Sequence, residues 1–155
     1  MEPLDLGVCL VPLQPHFEEL LLEGLAEQLD AQSFELHELV ARREEAEAAQ
    51  VAAAAAAELA MTRRKKLTIV TKSNVLKLSD GLFLEAVTEG ASAFPELDVE
   101  EVLVDAMASH LVRKPGAFDV IVTSNMFGDI LSNEAAELAG GLGFAGSLNA
   151  GLRHA

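Results

Sequence analysis

Residues 119–139 read DVIVTSNMFGDILSNEAAELA, and the first five decide the fold. Val120, Ile121 and Val122 form a continuous β-branched run, as expected of a strand buried on both faces. A helical spacing follows from about Gly128 to Ala139, and GGLG (140–143) ends it as a glycine cap. The same alternation lies upstream. LTIVT (67–71) and EVLVD (101–105) are two more short apolar strands. A helical pattern covers about 79–94 after the first of them, and a shorter one about 106–113 after the second. Strand and helix in turn imply a parallel α/β sheet with right-handed crossovers. In such sheets the chemistry gathers beyond the carboxyl ends of the strands. Lys72, Asp105 and Asn125 stand at those ends, and Asp129 lies in the first helical turn after the last strand.

The chain before Arg63 reads differently. Leu4, Leu6, Val8 and Leu10 alternate with other residues, a weak strand signal. Pro15 suits a first helical position, with Glu18 and Glu19 in the turn where the helix dipole favours acids. Phe17, Leu21, Leu25 and Leu29 then recur every four residues. A second helix opens near Ser33 and runs through an alanine-rich stretch, whose composition is that of a strong helix former with few large side chains for a core. The sequence therefore divides near Gln50, into a mainly helical segment 1–50 and an α/β part 51–155.

Half of the 155 residues are apolar, enough for one domain with a core. A formal charge of −14 argues against nucleic acid or an anionic membrane as partner, because phosphates would be repelled. The lone cysteine, Cys9, cannot close an internal disulfide, which suits a reducing cytoplasm. No apolar run is long enough to span a bilayer, and acids stand where a signal peptide would carry Lys or Arg.

Taken singly, the polar residues at the strand ends have ordinary explanations. Lys72 is either a solvated lysine closing a strand or one whose pKa is lowered by burial or a nearby cation for proton exchange. Asp105 would serve equally as a helix N-cap. Asp129 and Asn133 are four positions apart, so their oxygens share a helix face, as a metal pair or as surface polars. As oxygen donors, Asp105, Asp129 and Asn133 suit a hard cation such as Mg²⁺ or Mn²⁺. His16, His37, His110 and His154 are scattered and read as surface or core residues.

Taken in order, RRKKLTIVTKSNVLKLSDGLFLE (63–85), VDAMASHLVRKPGAFDVIVTSNMFGDILSNEAAELAGGLG (104–143) and SLNAG (147–151) closely resemble the β-decarboxylating dehydrogenases. This family comprises the isopropylmalate, isocitrate, homoisocitrate and tartrate/D-malate dehydrogenases. The resemblance runs from about Glu58 to Gly151. VDAM and NMFGDILS look most like the isopropylmalate branch, while KLSDGLF leans toward homoisocitrate-type sequences. It implies a parallel-sheet, three-layer fragment of the isopropylmalate dehydrogenase-like fold, the smaller dimer-forming part, behind a helical amino-terminal segment.

The resemblance also implies a chemistry. NAD or NADP takes a hydride from C2 of a 2-hydroxy diacid, and the 2-keto acid then loses its 3-carboxylate. The lysine matching Lys72 assists removal of the hydroxyl proton, and the asparagine matching Asn74 lies by substrate and nicotinamide. Asp105, Asp129 and Asn133 match the ligands of a divalent cation, Mg²⁺ or Mn²⁺. In the family dimer, the counterparts of Lys72 and Asp105 reach into the partner's site.

Departures from the pattern set further expectations. The family usually has Asp where this chain has Asn133, so one negative charge is gone and cation binding is weakened, not abolished. The chain contains no tyrosine, the family's proton donor, and residues 1–50 show no match to its substrate-binding arginines. The cofactor half on either side of the matched region does not appear. Little or no dehydrogenase activity is expected of this chain alone. One reading is a truncated NAD-dependent enzyme; another is a non-catalytic or regulatory partner that dimerises with a full-length relative; a third is an inactive folded remnant. Uncovered apolar surface is expected to drive dimerisation through helices around 80–94 and 128–139.

Overall fold

Leu67 and Ile69 pack with Val120 and Val122 on one face of a sheet, while Val70 and Ile121 pack on the other. That alternation is the period-2 geometry of strands with both faces covered. In the computed structural model, residues 7–10, 31–141, 143, 145 and 146 are described. The elements run β1 (Gly7–Leu10), α1 (Ala31–Met61), β2 (Lys66–Thr71), α2 (Ser79–Ala91), β3 (Asp98–Leu103), α3 (Val104–Arg113), a 3₁₀ turn (Pro115–Ala117), β4 (Val120–Thr123) and α4 (Asn125–Leu138). The four strands are all parallel, in the order β1-β4-β2-β3, with Leu67 paired to Val120 on one side and Val99 on the other. The expected parallel α/β sheet is therefore observed.

Two helices cover each face. Residues of α1 and α2 join Leu67, Ile69, Val120 and Val122 in one core. Met107 and Leu111 of α3 and Leu131 of α4 join Val70, Phe118 and Ile121 in the other. The result is helix, sheet, helix in three layers. GGLG closes α4 as expected: Gly140 and Gly141 take positive φ, and the Gly141 N–H donates to the Ala136 carbonyl at 2.8 Å.

Four expectations are corrected. The alanine-rich stretch was expected to contribute little core, yet Ala49, Ala52, Ala53, Ala56, Ala57 and Ala60 are all buried on one stripe of α1. Small side chains let α1 and α2 approach closely, so the core is built from proximity instead of side-chain volume. β3 was expected to be buried on both faces, but among the described residues it lies at the edge of the sheet, with Val99 exposed beside Asp98 and Glu101. Charged residues on an edge discourage pairing with another chain. Finally, β3 ends at Leu103 and α3 starts at Val104, so Asp105 lies inside the first helical turn, while the cap position is Leu103. Likewise α4 starts at Asn125, which puts Asp129 in its second turn.

α1 passes through Gln50 without a break. The helix expected from Pro15 to Leu29 lies outside the described residues, as do His16 and His154.

At the amino end of β4, Asp119 accepts from Arg63 Nε at 2.9 Å and from the Arg64 N–H at 2.8 Å, with its side chain 1% exposed. Burial works to raise its pKa, but the Arg63 hydrogen bond, the Arg64 N–H and the Arg63 charge together hold it below the ordinary carboxylate value. This clamp ties the end of α1 to the sheet, on the side away from the polar residues at the carboxyl ends.

Candidate active site

β4, β2 and β3 lie side by side, so their carboxyl ends bring three segments of chain into one row. The middle segment carries Lys72, directly after Thr71. The β3 side carries Asp105, and the β4 side leads into α4 with Asn125, Asp129 and Asn133.

Lys72 and Asp105 meet. Lys72 Nζ donates to Asp105 Oδ1 at 2.7 Å, with side-chain exposures of 25% and 67%. The Lys72 hydrogen bond is the main reason the Asp105 pKa lies below the ordinary value, helped by backbone N–H groups at the start of α3. Lys72 thus faces an anion in Asp105. Asn74 stands exposed in the turn that follows. That turn is closed by the N–H groups of Val75 and Leu76, which both donate to the Lys72 carbonyl, at 2.9 and 2.8 Å.

On α4, Phe127, Leu131 and Ala135 anchor the helix to the core. Its outer face shows Met126, Asp129, Ile130 and Asn133, all exposed. Glu134 is half-buried, and burial pushes its carboxyl pKa up. Asp129 and Asn133 are thus one turn apart on a solvent-facing surface, open to a ligand or a second chain.

The donor chemistry suits a hard cation and not a soft one, since Asp105, Asp129 and Asn133 offer only oxygen. The set holds at most two carboxylates, and Asp105 Oδ1 is already engaged by Lys72. Among the described residues, no group of three or more His, Cys, Asp and Glu side chains comes together that could hold a metal. His110 stacks on Phe118 with ring centroids 6.2 Å apart.

Two residues at this end of the sheet escaped sequence reasoning. Asp80, in the first turn of α2, is buried at 6% exposure and accepts from the Lys72 backbone N–H. Glu101 of β3 accepts from Thr71 Oγ1 at 2.7 Å and from Ser73 Oγ at 2.8 Å. A first-turn acid and an edge-strand acid are so ordinary that nothing in the sequence marks either.

Among the described residues, no helix is long and apolar enough to cross a membrane. The isocitrate/isopropylmalate dehydrogenase family model matches residues 29–155. A 3-isopropylmalate dehydrogenase of Saccharolobus solfataricus is 51% identical over 94 residues, which cover 61% of this chain and 27% of that protein. A mitochondrial NAD isocitrate dehydrogenase regulatory subunit 1 of Arabidopsis thaliana is 45% identical over 95 residues, covering 61% of this chain and 26% of that protein. The crystal structure of isocitrate dehydrogenase from Methylococcus capsulatus superposes with a TM-score of 0.61 at 43% identity, over 63% of this chain and 29% of that one. The chain thus spans about a quarter of the length of the curated relatives it matches.

Proposed function

The chain belongs to the isocitrate/isopropylmalate dehydrogenase family, and on that premise we propose that its strand ends form part of a decarboxylating dehydrogenase site. The substrate is a 2-hydroxy diacid of the isopropylmalate kind, and the hydride acceptor is NAD or NADP. The observation that carries this reading is the 2.7 Å contact between Lys72 Nζ and Asp105 Oδ1. It puts a proton-carrying amine beside an oxygen donor at the carboxyl ends of adjacent parallel strands, where ligands of such sheets bind.

Each residue has a role in this reading. Lys72 Nζ assists removal of the proton of the substrate's C2 hydroxyl, and Asp105 orients the amine. Asn74 offers an amide toward substrate and nicotinamide. Asp105, Asp129 and Asn133 would hold Mg²⁺ or Mn²⁺, with Asn133 giving a neutral oxygen in place of a charged one. When bound, that cation supplies polarisation of the C2 oxygen and stabilisation of the enolate left by loss of carbon dioxide. Lys72 and Asp105 serve the site of a second subunit, while Asp129 and Asn133 serve the chain's own. The dimer surface runs through α2 and α4, where the outer face of α4 carries Met126 and Ile130 exposed. The lone Cys9 fits a reducing compartment, the cytoplasm in the simplest case.

A second reading is favoured by two observations. Asn133 lowers the charge of the cation site, and the chain is 45% identical over 95 residues to a protein named as a regulatory subunit. In that reading the chain pairs with a full-length relative and contributes Lys72 and Asp105 without turning over substrate itself.

Complementation separates the possibilities. The chain, with Mn²⁺, NAD or NADP and isopropylmalate, D-malate or isocitrate, is expected to give no turnover alone. It is then mixed with a full-length isopropylmalate dehydrogenase whose own lysine at the position matching Lys72 is replaced by Met. Restored NADH production, lost again with the Lys72→Met chain, is the expected result. Equal output from the wild-type and Lys72→Met chains would overturn the role of Lys72.

A further inference from the structure

Three consecutive residues, Thr71, Lys72 and Ser73, are held by two carboxylates that approach from different elements. Glu101 of the edge strand β3 accepts with a single oxygen, Oε1, from Thr71 Oγ1 at 2.7 Å and from Ser73 Oγ at 2.8 Å. Asp80 of α2 accepts from the Lys72 N–H itself. The Ser73 N–H adds a bond to Thr71 Oγ1 at 3.2 Å. With Val75 and Leu76 donating to the Lys72 carbonyl, both main-chain polar groups of Lys72 are tied down. We propose that Asp80 and Glu101 are positioning residues that fix the root of the Lys72 side chain so that its amine reaches Asp105. The proposal rests on reading Lys72 as the proton-carrying group.

The energetics favour a positional purpose over simple turn closure. Asp80 is almost fully buried, and among the described residues no ion pair neutralises it. A buried carboxylate is costly, and its charge is offset here by the Lys72 N–H and the amino end of α2. A neutral acceptor would close the same turn at lower cost. A charged one holds the N–H more tightly, since hydrogen bonds to ionised acceptors are about twice as strong as neutral ones. The benefit falls on Lys72. A lysine side chain loses much of its rotamer freedom when its amine is fixed, so a wandering backbone beneath it would leave the Asp105 contact thinly populated. Reacting groups displaced by even about 1 Å lose much of their effectiveness.

The test reads the contact and not turnover. In the wild-type chain, NMR should show a nuclear Overhauser effect between the Lys72 Hε and Asp105 Hβ protons, and a Lys72 amide proton shifted well downfield. Asp80→Ala should abolish both, Asp80→Asn, which keeps an oxygen acceptor, should restore the Overhauser contact, and Glu101→Ala should weaken it. Methyl signals of Leu67 and Ile121 report whether the core remains folded. A purely structural role would lower global stability and leave the contact intact in the folded molecules. An unchanged Lys72–Asp105 contact in folded Asp80→Ala and Glu101→Ala overturns the proposal; should Asp80→Ala fail to fold, Glu101→Ala decides alone. Failure of the complementation assay, with these NMR results holding, would count against the dehydrogenase reading and not against the positioning.

Discussion

Gly90 of α2 lies so close to α1 that a methyl group added to it would stand 2.8 Å from Ala53 Cβ. Real carbon atoms do not approach to that distance, so Gly90→Ala must push the two helices apart. In an open helix the same change would gain about 1 kcal/mol, because alanine is the better helix former. Here the overpacking should outweigh that gain, for a net loss of roughly 1–3 kcal/mol in urea unfolding. Gly81 supplies the control from the same helix, since nothing lies within 4 Å of its added carbon. Gly81→Ala should be neutral or stabilising by up to about 1 kcal/mol. Opposite signs for the two substitutions are expected; a shared sign would show that helix approach does not set the packing.

The acid limb of stability should trace to Asp119. Its pKa is held down in the folded chain, so its contribution is fully present above the unfolded carboxylate value of about 4 and is lost as pH falls through the lower folded value. Asp119→Asn should cost about 1–3 kcal/mol at neutral pH, from weakened bonds to Arg63 and to the Arg64 N–H, and should flatten the acid limb. Glu134 carries the opposite sign. Burial raises its pKa, so its ionisation opposes folding as pH rises above the ordinary glutamate value. Glu134→Gln is expected to stabilise at pH 7 and to have no effect at pH 3. Chemical denaturation at both pH values checks both substitutions.

The strands were legible in the sequence because a strand buried on both faces leaves a dense apolar signature, as in Leu67–Val70 and Val120–Val122. β3 was found but its setting was misjudged, since Val99, Val102 and Leu103 are apolar without revealing that β3 has one strand neighbour among the described residues. The packing of α1 was not legible. Alanine is abundant in solvated helices and in tight helix pairs alike, and only Gly90 opposite Ala53 tells them apart. At the site, Lys72, Asp105 and Asp129 stood out by their place after strands. Asp80 and Glu101 did not, because what sets them apart is burial and a hydrogen bond across the fold, neither of which has a local pattern.

Restoring the lost charge on α4 should strengthen cation binding. Asn133 is exposed one turn from Asp129, so Asn133→Asp changes charge without touching the core. Affinity at oxygen sites is tuned by the number of charged ligands, and one added carboxylate should tighten Mn²⁺ binding on the order of tenfold. Titration followed by the Mn²⁺ electron spin resonance signal reads this directly. Equal affinity in Asn133→Asp and wild type would remove Asn133 from the ligand set, and Asp129→Asn should weaken binding in either background.

Association should run through the outer face of α4. Met126 and Ile130 are 62% and 57% exposed at successive turns, next to Asp129, while the opposite face of the helix is anchored by Phe127 and Leu131. Burying an isoleucine side chain is worth about 1.5–3 kcal/mol, and in a two-fold dimer each substitution counts twice. Ile130→Glu should therefore raise the dimer dissociation constant by roughly a hundredfold or more, since each 1.4 kcal/mol is tenfold. Its folding stability should stay near wild type, because the side chain stands outside both cores. Sedimentation equilibrium at micromolar concentration is the measurement. A wild-type monomer, or an Ile130→Glu chain that dimerises as tightly as wild type, would move the subunit contact off α4 and with it the sharing of Lys72 and Asp105 between chains.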